Sequence, residues 1–287
     1  MPDHEDESAA AAPAPPGVVR VARREGWRGF GFVELWLDRE LLIFLAARDL
    51  KVRYKQTFFG AAWAVGQPLI TMLVFTFVFG HLAKVGSEHL PYSVFALGGL
   101  VPWGLAASAV PTASLSLISN VPLITKVRIH NMLVPTATVV AGILDLAIAI
   151  VLLVVYAGAH GIWPGPEVVA LPLFIALDVA IVVGVSLLLS AVTVIYRDIR
   201  YAVPFIVQIW LFLTPIAYPA SRIKGGVRWL YALNPMVGVI EGFRWSMLGA
   251  SQHLGSLLPV SVLGAVILSL GGAYVFRRLE PLFPDVV

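Results

Sequence analysis

No cysteine occurs among the 287 residues, so disulfides, thiolate metal sites and cysteine nucleophiles are excluded together with the redox chemistry they carry. Charge is scarce too: only 13% of residues are Asp, Glu, Lys or Arg, where an ordinary soluble domain has about 25%. With 59% hydrophobic residues, polar surface is too sparse to enclose the core in water, and lipid must be the main solvent. A G-x-x-x-x-G-K-[ST] phosphate loop is missing, since none of Lys51, Lys55, Lys84, Lys126 and Lys224 follows a glycine; ATP is not bound by that route. There is no H-E-x-x-H helix and no G-x-S-x-G elbow, and the histidines at 4, 81, 89, 130, 160 and 253 are dispersed. No catalytic residue, metal site or cofactor of its own is therefore assigned to the chain.

The formal charge of +3 hides an acidic cluster, Asp3, Glu5, Asp6 and Glu7. Set apart from that cluster, the rest is basic, which in a lipid-dissolved chain reads as an orientation signal and not as a nucleic-acid surface. Residues 1–33 form an acidic Ala/Pro tail with a basic lead-in, too poor in large apolar side chains to offset the entropy of folding, so disorder is expected there. Nothing in it resembles a secretory signal peptide, which keeps the N-terminus in the cytoplasm.

Residues 34–287 form the transmembrane domain. From Glu34 to Tyr54, charges bracket the short apolar run Leu41–Ala47, too short to cross a bilayer; an interfacial helix along the inner leaflet is expected, with a helix buried against the bundle as the alternative. Apolar stretches follow near 60–82, 93–116, 133–157, 169–195, 203–219 and 255–276, each suited to about 30 Å of hydrocarbon. Helices are the only plausible spans, since no alternating pattern suggests a barrel. The expected fold is thus all-α and polytopic, with six transmembrane helices and both termini cytoplasmic. That orientation places 15 of the 20 basic residues inside, in keeping with the positive-inside rule.

Four of the five exceptions, Arg222, Lys224, Arg228 and Arg244, fall between 220 and 250. This segment is too polar for a crossing and too apolar for a loop. Trp229, Tyr231 and Trp245 suit the headgroup boundary, and Asn234-Pro235 marks a break, so an external re-entrant helical hairpin over 222–248 is expected. The alternative, a seventh span over 230–249, buries Glu241 and Arg244 at the cost of their charge.

Asp145 and Asp178 lie within neighbouring antiparallel spans, and no basic residue lies inside a span to pair with them. Each must be protonated, hydrated or hydrogen-bonded, as a structural contact or as a proton relay. Aromatics recur at Phe75, Phe79, Trp103, Trp210, Phe212 and Tyr218, which serve either as lipid-facing packing or as a pore lining for the apolar faces of sugar rings. The loops SNVPLITKVRIHNMLVP and YRDIRYAVP carry compact mixed-charge patches fenced by prolines or apolar residues. Such patches are either inside-anchors or rigid elements docking on a soluble partner.

The runs RDLKVRYKQTFFGAAWAVGQPLI, NVPLITKVRIHNMLVP, YRDIRY, TPIAYP and NPMVGVIEGFRW, in this order and at these intervals, resemble the permease subunit of ABC-2 type exporters, nearest to the O-antigen, capsule and teichoic-acid group. The resemblance covers about residues 34–276. It implies a homodimer of six-span subunits with two copies of a separate ABC ATPase that binds ATP and magnesium on the cytoplasmic face of the inner membrane. It implies coupling through Asn120, Pro122, Lys126, Arg128, Arg197, Asp198 and Arg200, and an ATPase-contacting interface helix. It also implies an external gate carrying Trp229, Tyr231, Asn234, Pro235, Glu241 and Arg244. The implied substrate is an undecaprenyl-pyrophosphate-linked glycan, its pyrophosphate near Arg48, Lys51, Arg53 and Lys55 and its sugars threading the aromatic pore. Fifteen arginines against five lysines suggest a high-GC genome and, with the acidic tail, a galactan of the arabinogalactan type. Three other readings compete: an exporter of drugs or lipids on the same architecture, a proton-coupled transporter using Asp145 and Asp178, and a membrane glycosyltransferase.

Overall fold

A computed structural model of the chain describes residues 32–55, 62–126, 129–223, 231–250 and 254–283. Of the expectations above, the tail at 1–31 and the residues Arg128, Lys224, Arg228 and Trp229 lie outside the described residues. The described residues are helical and contain no strand. Helix α1 covers Phe32–Leu37 and α2 covers Arg39–Lys55; α3, Ala62–Phe75, continues through a wider π-helical turn, Thr76–Leu82. Then come α4 (Tyr92–Ser119), α5 (Val121–Lys126), α6 (Leu133–Ala159), α7 (Leu171–Ile195), α8 (Ile199–Phe212), α9 (Pro235–Leu248) and α10 (Leu254–Leu279). Five stretches among the described residues are long and apolar enough to cross a membrane: Ala62–Leu82, Tyr92–Ser119, Leu133–Ala159, Pro166–Ile195 and Leu258–Leu282.

The helix expected at 203–219 departs from this pattern. Helix α8 stops at Phe212 after 14 residues, about 21 Å at 1.5 Å per residue and short of the ~30 Å hydrocarbon layer. Pro215 is the cause. It lacks an amide proton and drives Thr214 away from helical dihedrals, and Pro219 repeats the block four residues on. The chain continues irregularly to the loop between α3 and α4. There Tyr92 donates its hydroxyl to the Ala217 carbonyl (2.7 Å) and Ser221 donates to Glu88 (2.9 Å). Helix and irregular extension together run the length of the bundle.

Helix α4 is the axle. Of its most apolar window 78% is buried, against 11% for α3, and it packs on α3, α6, α7, α8 and α9. Pro102 and Pro111 interrupt its hydrogen-bond ladder, and Ser114 and Ser116 return hydroxyl protons to the Pro111 and Ala113 carbonyls, both at 2.7 Å. By contrast α3 and α8 turn Ile70, Leu73 and Phe77, and Phe205, Ile209 and Phe212, outward, faces suited to lipid or to another chain.

Between α7 and α10 the backbones nearly touch. A Cβ at Gly272 would lie 2.0 Å from the Gly184 carbonyl oxygen, and Ser269 donates across the seam to the Ala180 carbonyl at 2.8 Å. Lipid offers no hydrophobic drive for helix association, so such close approach carries the packing. Gly272→Ala should therefore lower the thermal unfolding midpoint in detergent, by an overpacking cost of about 1–3 kcal/mol. Gly271→Ala, where a Cβ meets nothing within 4 Å, should leave it unchanged.

Candidate functional site

The stretch expected at 34–54 forms as α1 and α2, but α2 packs against α6, a candidate span, and so follows the alternative of a helix against the bundle and not one along the leaflet. At its start Asp38 pairs with His130 at 2.7 Å. Further along, Thr138 donates to Asp49 (3.3 Å), which also takes Arg48 (2.9 Å). At its end Arg53 forms an ion pair with Asp145, whose other carboxylate oxygen accepts from the Tyr54 hydroxyl. These contacts ascend both helices together, so α2 runs parallel to α6, burying Leu45 and Ala46 and exposing Ile43, Phe44 and Val52. Burial and the Asp145 hydrogen bond push Tyr54 up to about 12. Asp145 thus has a basic partner after all. No lysine or arginine lies inside an expected span, but this arginine arrives from outside the spans.

Asp178 has different surroundings. It is fully buried in α7, and neither carboxyl oxygen has a hydrogen-bond partner among the described residues. The two acids thus differ in their partners: Asp145 is held by Arg53 and Tyr54, and Asp178 by no side chain among the described residues.

A cleft of about 990 Å³ opens beside the Arg53–Tyr54–Asp145 cluster. Helix α3 contributes Trp63, Gln67 and Thr71, α4 contributes Trp103, Ser108 and Thr112, and α6 contributes Leu146 and Ala149. Of the six aromatics picked out in the sequence, Trp103 lines this cleft, although it is itself largely buried and meets Trp210 edge-on at 5.4 Å. Phe75 stacks on Phe79 at 5.3 Å, Phe212 is exposed, and the Tyr218 hydroxyl donates to the Phe212 carbonyl. Tyr54, Trp63 and the hydroxyl-bearing residues escaped the sequence reading. The one signal was position, and only for Tyr54 and Trp63, which lie before and within the first turn of the first span.

A second cluster surrounds Arg244. Its Nε donates to the Phe95 carbonyl (3.3 Å), Nη1 to the Pro215 carbonyl (2.6 Å) and to Glu241 (3.1 Å), and Nη2 to the Ile216 carbonyl (2.9 Å). The guanidinium also lies 3.6 Å from the centre of the Phe95 ring. Gly99 makes room, since a Cβ there would come within 2.7 Å of Nη2. Glu241 and Arg244, whose charge weighed against a buried helix, are both buried; the pairing and the carbonyls meet that cost. Asn234 anchors the start of α9. It accepts from Trp210 Nε1 (2.9 Å) and from the Met236 amide (3.2 Å), and donates to the Leu213 carbonyl and Thr214 hydroxyl, both at 3.0 Å. Tyr231 donates to the Tyr218 hydroxyl at 3.1 Å, and Pro235 is buried as the first residue of α9.

At the opposite end of the bundle lie the described residues assigned to coupling. The side chain of Asn120 closes α4 on the Ser116 carbonyl (2.8 Å), and Pro122 is exposed on α5. Lys126 ends α5, with its side chain outside the described residues. Arg197, Asp198 and Arg200 are exposed at the corner between α7 and α8, where Arg200 lies over the Tyr201 ring at 4.6 Å. Arg277 of α10 pairs with Glu34 of α1 at 3.2 Å, so α1, α2, α6 and α10 are tied at this end.

Removing Arg244 should take the ion pair from Glu241 and the guanidinium donors from the Pro215, Ile216 and Phe95 carbonyls in an apolar interior. Arg244→Ala is expected to cost about 3–5 kcal/mol, read as loss of monodisperse protein in detergent. Arg244→Lys should rescue only in part, because an ammonium lacks the planar fork.

Comparison with known proteins agrees with this architecture. A family model described as "ABC-2 type transporter" matches residues 40–248. An "O-antigen export system permease protein RfbA" of Myxococcus xanthus is 30% identical over 235 residues, covering 81% of this chain and 89% of that protein. The protein of the same description from Klebsiella pneumoniae is 26% identical over 249 residues, covering 86% and 95%. A "Polysialic acid transport protein KpsM" of Escherichia coli is 22% identical over 242 residues, covering 82% and 92%. With the model spanning from α2 to the end of α9, and so taking in both the cleft and the Arg244 cluster, the chain belongs to the ABC-2 type transporter family.

Proposed function

We propose that this chain is the membrane-spanning permease of an ATP-driven exporter that moves a lipid-linked polysaccharide from the cytoplasm across the inner membrane. The observation that carries this reading is similarity, over 81–86% of this chain, to permeases named for O-antigen export. The chain's lack of a phosphate loop agrees, because a permease draws its energy from a separate ATPase. In this reading two copies assemble as a homodimer and bind two ATPase subunits at the end carrying α5 and the α7–α8 corner. The outward apolar faces of α3 and α8 supply surface for the second copy.

Six crossings per subunit follow if α8 and its irregular extension count as one. Both termini then lie in the cytoplasm, and α9 with the preceding segment forms the external gate. The substrate is an undecaprenyl-pyrophosphate-linked glycan, a galactan of the arabinogalactan type on the strength of the arginine-rich composition and acidic tail. Lys51 and Lys55, exposed on the last turns of α2, are cations without an ion pair among the described residues and so suit its pyrophosphate, whereas Arg48 and Arg53 hold Asp49 and Asp145.

Purified alone, the chain should hydrolyse no ATP; co-purified with its ATPase in lipid, it should support hydrolysis that rises with lipid-linked oligosaccharide. Nucleotide consumption by the isolated chain contradicts the reading. Depletion in cells should raise lipid-linked glycan in the inner leaflet, whereas unchanged glycan with altered drug resistance points to a drug or lipid exporter. Asp178→Asn, neutral and isosteric, should leave ATP-driven export within about twofold of wild type, a change smaller than half of RT ln 10. A proton-coupled transporter relying on that carboxyl would stop.

A further inference from the structure

The cleft beside Arg53 and Asp145 has a lining that a bare lipid anchor would not use. We infer that it binds one sugar ring of the substrate, the ring next to the lipid linkage, with the Arg53–Asp145 pair clamping neighbouring hydroxyls and Trp63 offering a stacking face. This rests on the polysaccharide reading above and narrows it to a chemical group and a place.

The balance of charge comes first. Arg53 and Asp145 neutralise each other, so a phosphate entering here would meet a carboxylate as well as a guanidinium. A sugar hydroxyl suits both, since it accepts from one and donates to the other. Arg53 reaches Asp145 through Nη1 alone, and its other nitrogens make no hydrogen bond among the described residues. Each Asp145 oxygen takes one donor, Arg53 or Tyr54, and keeps lone pairs for more.

The walls also call for a ligand that donates. Thr71, Ser108 and Thr112 give their hydroxyl protons to helix carbonyls, those of Gln67 (2.9 Å), Leu105 (3.4 Å) and Ser108 (2.8 Å). What they turn to the cleft is acceptor capacity, which a polyol satisfies and an anion or a hydrocarbon chain does not. Trp63, in the first turn of α3, lines the cleft while remaining 57% exposed, so an apolar ring face can lie on it. The volume, about 990 Å³, is at the upper end of the roughly 300–1,000 Å³ typical of ligand sites.

The test uses the full chain with its ATPase in nanodiscs, titrated with polyprenyl pyrophosphate and with the same lipid carrying one sugar: N-acetylglucosamine, galactose or rhamnose. At least one glycosylated lipid should bind about tenfold tighter than the sugar-free lipid, the value of a hydrogen bond to a charged group. Trp63→Leu should bring that ratio towards one without changing affinity for the sugar-free lipid, and Asp145→Asn, which also frees the Arg53 charge, should bring the ratio towards one while raising affinity for the sugar-free lipid. If Asp145→Asn fails to fold, Trp63→Leu decides, because its exposed side chain carries little packing. No preference for any sugar in the wild type, or a preference that survives Trp63→Leu, overturns the inference. Failure of the export reading shows elsewhere, as unaltered lipid-linked glycan after depletion; a transporter that exports glycan yet shows no sugar preference refutes this inference alone.

Discussion

A backbone carbonyl without a partner is expensive in an apolar interior, and Pro215 creates several at once by ending α8 inside the bundle. The structure answers with one side chain. Arg244 collects the Pro215, Ile216 and Phe95 carbonyls, and its charge is offset by Glu241 and the Phe95 ring. Arginine suits this task because its fork carries five donors in a plane. Much else follows from it: α9 must lie close against α4, and Gly99 must lack a side chain. Asn234 performs the same service at the other end of the break, bonding the Leu213 carbonyl and holding Trp210.

At the opposite end, charge is used to tie helices together. Glu34 to Arg277, Asp38 to His130 and Arg53 to Asp145 link the α1–α2 arm to α10 and to two levels of α6. These groups are partly exposed, so each pair contributes little stability by itself. Their value is geometric. In the proposed exporter, a partner that displaces the arm moves α6 and α10 with it, and α6 carries one wall of the cleft.

Much of this was legible from hydropathy. Four long apolar runs became helices close to their expected limits, and the last, near 255–276, became part of α10. Periodicity and length suffice for a helix whose neighbours are all apolar, because any face will do. The stretch 203–219 misled for the same reason: its average hydropathy matches a span, while Pro215, a single residue within it, decides where the hydrogen-bond ladder stops. Glu241 and Arg244 misled in the other direction. Their charge is costly to bury alone, and sequence spacing does not show that carbonyls from the broken extension of α8 are waiting for the guanidinium.

What the sequence by itself determined is the solvent and the punctuation. Lipid follows from the scarcity of charge, the exclusion of a phosphate loop from the lysine positions, and the interruptions from Pro215 and Asn234-Pro235, all local properties of the chain. Only the tertiary structure decided the partners. Arg53 meets Asp145 across 92 positions and Arg244 meets Phe95 across 149, and such pairings depend on how helices are laid side by side, which no periodicity along the chain encodes. The cleft has the same origin, since Trp63, Ser108 and Asp145 come from three helices and become one surface only when α3, α4 and α6 pack.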